Sequence, residues 1–168
     1  MNEQVERDVM EYDVLIIGGG PSGLSSAIKV KQLASAEGKD VSVCVLEKGS
    51  EIGAHILSGN VFEPTALNEL IPDWKEKEAP LNSPATKDIV KFMISGNSSI
   101  NIPFPSFLIP TFNNHGNYVM SLANFTRWLA SQAESLGVEI FPGFTAAEVI
   151  FEENIVKGVL TGEMGISK

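Results

Sequence analysis

The sequence predicts an α/β fold in which a parallel sheet is wound through helices, and two observations carry that prediction. A short apolar run, Tyr12–Ile17, leads through a glycine-dense stretch into a helical segment and then into a second apolar run. This strand–helix–strand unit occupies about 35 residues, the length of a parallel crossover. Much later, an amphipathic helix is followed at once by a further short apolar run, which supplies a third parallel strand. Right-handed crossovers would set these strands side by side in one sheet.

Each element has its own signal. Tyr12–Ile17 is short and rich in branched aliphatics, as a buried strand is. Pro21–Ala36 places Leu24, Ala27 and Ile28 on one helical face and Lys29, Lys31 and Gln32 largely outward. Glu37, Gly38, Lys39 and Asp40 form a turn, and Val41–Leu46 is the second strand. Glu63–Ile71 reads as a short helix opened by Pro64 at its first position and stopped by Pro72.

Residues 72–88 are polar and punctuated by proline. Ile89–Ser95 and Ser98–Ile102 flank Gly96 and Asn97, a two-residue hairpin signal. Pro103, Pro105 and Pro110 break the following apolar stretch into an extended loop. Ser121 is then an N-cap for a helix whose face carries Leu122, Phe125, Leu129, Ala133 and Leu136, with Gly137 as its stop. Val138–Phe141 is the third parallel strand. Thr145–Phe151 and Ile155–Thr161 make a second hairpin around Glu152, Glu153 and Asn154.

Composition narrows the function. The 168 residues are 43% hydrophobic and carry 12 basic against 21 acidic side chains, a net charge of −9. No basic run is present, which argues against a nucleic-acid partner. The one cysteine, Cys44, lies inside a strand and excludes an internal disulfide framework; an inert core thiol in a reducing compartment fits it. Residues 1–11 contain four acids and one base, unlike a transit peptide or a secretory signal. No apolar run reaches the length of a membrane span, so any membrane contact is expected to be peripheral.

The chemistry sits in GGGPSG. Gly18, Gly20 and Gly23 have the spacing of a dinucleotide-binding turn between strand and helix, with Gly19, Pro21 and Ser22 between them. Gly18 would permit the tight turn, Gly20 would let a pyrophosphate approach the backbone, and Gly23 would let the helix pack closely on the strands. The helix N-terminus offers N–H groups and about half a positive charge to the phosphates. Glu47 ends the next strand, 24 residues beyond Gly23, where a carboxylate is expected to accept the hydroxyls of an adenosine ribose.

The segments LEKGSEIGAHILSG (46–59), ELIPDWKEKEAPLNSPAT (69–86), NNHGNYVMSL (113–122), LGVEIFPGFTAAEV (136–149) and VKGVLTGEMGI (156–166) resemble, in order, the N-terminal part of electron-transfer flavoprotein–ubiquinone oxidoreductase. The resemblance implies a Rossmann-like sheet of the glutathione-reductase-type FAD-binding fold, with inserted β-hairpins. It implies FAD as the cofactor, electron-transfer flavoprotein and ubiquinone as partners, and a peripheral membrane surface. The location it implies is the cytoplasmic side of a bacterial inner membrane, or alternatively the matrix side of the mitochondrial one. Gly18, Gly19, Gly20, Pro21, Ser22, Gly23, Glu47 and Lys48 would hold the adenosine diphosphate half. His55, Ser58 and Gly59 would lie toward the flavin, and Val149 would offer backbone to adenine.

The family's four-iron cluster needs four cysteines, which this chain does not contain. The resemblance therefore implies an incomplete FAD-binding domain: a flexible leader at 1–11, a βαβ unit at 12–60, an insertion at 61–117 with a membrane-facing helix and, besides it, a hairpin, and a helix, strand and hairpin at 118–168. A fragment, a truncated product and half of a split protein all fit, as do a non-catalytic remnant or another FAD-dependent oxidoreductase of the same fold. His55 admits a flavin-side or quinone-side contact or a backbone-satisfied loop position, whereas His115 is expected to be structural. Leu67, Leu70, Ile71 and Trp74 admit two readings: a helix packed on the core, or an interfacial helix with Trp74, Lys75 and Lys77 at the headgroups. Phe104, Phe107, Leu108 and Ile109 are candidates for the same surface. No nucleophile–base pair stands out, so no catalytic acid, base or metal ligand is assigned; the cofactor would carry the electron chemistry.

Overall fold

The computed structural model describes residues 8–102 and 113–162. The chain divides into two compact units, one made of the residues up to His55 and from Leu129 onward, the other of Ile56–Trp128.

The first unit is built on a parallel sheet. Strands β1 (Val14–Ile17) and β2 (Val43–Glu47) are joined by helix α1 (Pro21–Ala36), and β2 pairs on its far side with β8 (Val138–Pro142). The three strands lie side by side and all parallel, as expected, in the order β1–β2–β8. Register aligns Val14 with Val43 and Val138, and Ile16 with Val45 and Ile140. Because alternate residues share a face, these six form one apolar surface, and α1 covers it with Leu24, Ala27 and Ile28, all fully buried. The opposite face carries Leu15, Cys44 and Glu139 in one row and Ile17, Leu46 and Phe141 in the next.

Cys44 is 2% exposed, and burial together with the Glu139 charge pushes its thiol up to about 11. At neutral pH it stays protonated and unreactive, as expected of a core thiol. Side-chain hydrogen bonds also tie these strands together near their starts. The Tyr12 hydroxyl donates to Glu139 at 2.8 Å, and the Asp13 carboxylate accepts from both the backbone and the hydroxyl of Ser42.

After β8 the chain turns into an antiparallel ribbon, β9 (Ala146–Glu152) with β10 (Ile155–Thr161). Glu153 and Asn154 both have positive φ, 47° and 66°, the conformation of a two-residue turn that matches strand twist. The turn is thus one residue shorter than expected, since Glu152 remains in the strand.

In the second unit, helix α2 spans Thr65–Leu70, with Pro64 as its cap residue rather than its first helical position. Strands β3 (Asn60–Phe62), β4 (Ser83–Pro84) and β7 (Tyr118–Met120) form an antiparallel sheet with β7 in the middle, which the sequence does not announce. A separate ribbon joins β5 (Val90–Ser95) to β6 (Ser98–Ile102) through Gly96 and Asn97, as expected.

Helix α3 (Leu122–Ser135) begins at the expected cap. The Ser121 hydroxyl accepts from the Asn124 N–H, and Gly137 follows the helix with φ +81°. Phe125, Leu129 and Ala133 are buried, as their spacing predicts, whereas Leu136 is exposed.

The interfacial reading of 67–74 is overturned. Leu67, Ile71 and Trp74 are 3%, 3% and 5% exposed, and they pack into the core of the second unit. The Trp74 indole donates to Asn68 at 2.7 Å and meets Tyr118 edge-on at 5.8 Å between ring centres. Lys75 sits over the same indole, 5.3 Å from its centre. The proline-broken loop from Pro103 to Phe112, with Phe104, Phe107, Leu108 and Ile109, lies outside the described residues, as do the first seven residues and the last six.

Candidate dinucleotide-binding site

The site grows out of one hydrogen bond at the end of β1. There the Gly18 N–H donates to Leu46 O at 2.7 Å, continuing the β1–β2 ladder one step past the strand. Gly18 itself adopts φ +106°, a conformation open to glycine and closed to most side chains. The backbone then swings out and returns as α1.

Gly20 is the N-cap of α1, and it brings no side chain to the helix end. Pro21 follows, and no acid occupies the first turn. An α-helix leaves its first N–H groups without intrahelical partners. Here neither a capping side chain nor a carboxylate meets them, which is the arrangement that suits an anionic group. A Cβ built on Gly20 would meet nothing within 4 Å, so the space above the loop is open.

Gly23 is required from the other direction. A Cβ built there would collide with the Gly18 carbonyl oxygen and lie 3.2 Å from Cγ2 of Ile16. Its role is the close packing of α1 on the strand, as its place in the motif predicts.

Glu47 stands at the end of β2, beside this loop. Its Oε2 accepts the Gly19 N–H at 2.8 Å and its Oε1 accepts the Gly49 N–H at 2.6 Å. The carboxylate is therefore clasped between the glycine loop and the segment that leaves β2. Each oxygen retains a further lone pair, so the clasp leaves acceptor capacity for hydroxyl donors. Gly19 and Gly49 are both buried, and Ile52 reaches back over Gly19. A Cβ at Gly19 would run into the Ile52 side chain. Sequence reasoning assigned Gly19 no separate task and passed over Gly49 and Ile52; a glycine two residues past the acid was the available signal.

The structure thus brings Gly18, Gly19, Gly20, Pro21, Ser22, Gly23 and Glu47 together, with Lys48 adjacent and exposed. The other candidates are carried by other segments. His55 is exposed in a turn at the end of the first unit's N-terminal segment. Ser58 and Gly59 belong to the second unit, where the Ser58 hydroxyl donates to the Ser121 hydroxyl at 3.1 Å. Val149 pairs with Val159 in the β9–β10 ribbon. His115 lies in a tight turn, where its N–H donates to Asn113; the neighbouring Asn114 ties the turn to Asp88 by two bonds. These bonds hold the Asp88 carboxyl below its usual range.

This geometry is that of a Rossmann-type turn, and residues 16–72 match a family described as NAD(P)-binding Rossmann-like domain. Over 166 residues the chain is 55% identical to the electron transfer flavoprotein-ubiquinone oxidoreductase of Pseudomonas aeruginosa, covering 98% of this chain and 30% of that protein. In sequence, it is similar over nearly its whole length to the part of the electron transfer flavoprotein-ubiquinone oxidoreductases that it spans. The mitochondrial members from Dictyostelium discoideum and Mus musculus are 53% and 50% identical, and each is matched over 26% of its length. The chain thus spans less than a third of the length of these relatives.

Among solved structures, a geranylgeranyl bacteriochlorophyll reductase-like protein from Thermoplasma acidophilum aligns with a TM-score of 0.60 at 22% identity. That alignment covers 89% of this chain and 34% of the other. CtdE, solved in complex with FAD, aligns with a TM-score of 0.53 at 19% identity over 89% of this chain and 37% of its own. At these identities the likeness concerns the fold.

Proposed function

We propose that the chain binds FAD as part of an oxidoreductase that passes electrons from reduced electron-transfer flavoprotein to ubiquinone. The observation that carries the FAD reading is the uncapped start of α1 beside the clasped carboxylate of Glu47. The backbone of Gly18–Gly23 would receive the pyrophosphate, and the spare lone pairs of Glu47 would accept the ribose hydroxyls. Lys48, exposed beside them, would add positive charge near the phosphates. The named activity of the relatives supports the electron-transfer reading, and the FAD seen in CtdE agrees with the choice of cofactor. The flavin, when bound, supplies the redox chemistry; the residues here hold and orient it. Cys44 is buried in β2, so a cluster that relays electrons onward would need ligands from elsewhere.

The test is a titration of the purified chain with FAD, followed by flavin fluorescence. Binding at about micromolar Kd or tighter is the expected result. A folded chain indifferent to FAD would overturn the reading and favour a non-catalytic remnant.

The peripheral membrane surface is assigned to the β5–β6 ribbon instead of α2. Register places Val90 and Phe92 on one face with Ile100 and Ile102, while Lys91, Met93, Ser99 and Asn101 share the other. Phe92 and Ile100 are more than half exposed. An amphipathic ribbon of this kind suits a bilayer surface from which an apolar quinone is drawn. No helix among the described residues is long and apolar enough to cross a membrane. The sides proposed are the cytoplasmic face of a bacterial inner membrane or the matrix face of a mitochondrial one. Phe92→Asp with Ile100→Asp is expected to reduce co-sedimentation with anionic phospholipid vesicles by at least roughly tenfold, because each buried apolar side chain is worth about 1.5–3 kcal/mol. Unchanged sedimentation would remove the ribbon from the membrane surface.

A further inference from the structure

We propose that Ile52 is a positioning residue for the dinucleotide site: it seals the Gly19–Glu47–Gly49 clasp from water, so that the carboxylate is aimed before the cofactor arrives. The inference rests on the dinucleotide reading above and adds to it a residue outside the glycine motif.

Three observations converge. First, both oxygens of Glu47 bond to backbone N–H groups from different segments, Gly19 in the glycine loop and Gly49 in the segment after β2. The side chain is therefore held at two points and has little freedom to rotate. Second, Ile52 Cδ1, Glu47 Cβ and Glu47 Oε2 all crowd the same side of Gly19, the latter two at 3.1 and 3.3 Å from where a Cβ would stand. Ile52 thus lies against Gly19 on the side where the Glu47 side chain meets it. Third, the segment that carries Ile52 folds back on itself. The Ala54 N–H donates to Glu51 O at 3.3 Å, Gly53 takes φ +83°, and the Gly49 carbonyl accepts the Gly143 N–H at 2.7 Å beyond β8. Ile52 is anchored in a turn and is not a dangling side chain.

The physical consequence is pre-organisation. A hydrogen bond shielded from water is electrostatically stronger than an exposed one. A carboxylate already fixed at the ribose position loses less entropy when the ligand binds. This also explains why position 19, the variable place in the motif, is glycine here: the δ-methyl of Ile52 occupies the volume a side chain would need.

Amide exchange and binding together test this. In Ile52→Val, which removes only the δ-methyl, and more strongly in Ile52→Ala, the Gly19 and Gly49 amides should exchange faster. The expected gain in Ile52→Ala is about tenfold, with FAD affinity falling by a similar factor while the remaining α1 and β2 amides keep their protection. Gly19→Ala should lose most FAD affinity, and Gly19→Ala with Ile52→Val should regain at least part of it, because the colliding methyl is gone. Unchanged Gly19 exchange in Ile52→Ala would overturn the proposal, as would a double variant that binds no better than Gly19→Ala. If the parent chain binds no FAD, the function proposed above fails, and the Gly19 exchange rate alone decides the role of Ile52.

Discussion

A chain carrying Gly23→Ala is expected to lose FAD binding and to melt well below the parent. The added Cβ would land on the Gly18 carbonyl oxygen, a backbone atom that cannot step aside as a side chain can. Gly18 is itself pinned, because its N–H donates to Leu46 O across the sheet. The only relief is for α1 to lift from β1, which opens the buried contact between Leu24, Ala27 and Ile28 and the sheet face of Val43 and Val45. Overpacking against a movable neighbour costs roughly 1–3 kcal/mol; against fixed backbone, 3 kcal/mol or more is expected. That is a large share of the 5–15 kcal/mol that stabilises a typical domain.

Gly20→Ala is the matched control. Its Cβ would stand in open space, so the unliganded variant should melt as the parent does while still obstructing a pyrophosphate drawn onto the loop. Circular-dichroism melts of both variants, each with and without FAD, check the pair. Should Gly23→Ala melt within about 2 °C of the parent, the close-packing role of this glycine is wrong.

The contrast between these two glycines shows what was legible in the sequence. Their spacing, the aliphatic run before them and the helical periodicity after them are local signals, and each element of the β1–α1–β2 unit follows from them. The same holds for α3, whose cap, apolar face and glycine stop lie within 17 residues, Ser121 to Gly137. The β3–β7–β4 sheet was not legible, because its strands have three, three and two residues, too short for alternation to register. They also pair across a long separation, Phe62 with Tyr118 for example. Trp74 was left between two readings for a related reason. Pro72 breaks the helical period, and the partners that bury the indole, Asn68 and Tyr118, are fixed by how the chain folds back rather than by spacing. At the site, position 47 was legible as an acid at a strand end. That its oxygens would be held by Gly19 and Gly49 depends on the turn after β2, which no periodic signal encodes.

That clasp sets the expected result for Glu47→Ala: FAD affinity falls by at least about a hundredfold and the unliganded chain is also destabilised. Two separate losses contribute. Charge-assisted bonds to ribose hydroxyls are worth roughly 1.5–3 kcal/mol, and they vanish with the carboxylate. The buried N–H groups of Gly19 and Gly49 lose their acceptor, at about 1–3 kcal/mol each where water cannot replace it. Glu47→Gln separates the two effects. Its amide keeps one oxygen for one glycine N–H but turns an N–H donor toward the other, so it should melt between the parent and the alanine variant. Its FAD affinity should nevertheless fall close to that of alanine if charge on the acceptor is what ribose binding requires. The outcome that would refute the ribose assignment is a Glu47→Ala chain that melts low yet binds FAD within about threefold of the parent. In that case the carboxylate would only tie the two loops together, and the sugar would have to find its acceptor elsewhere.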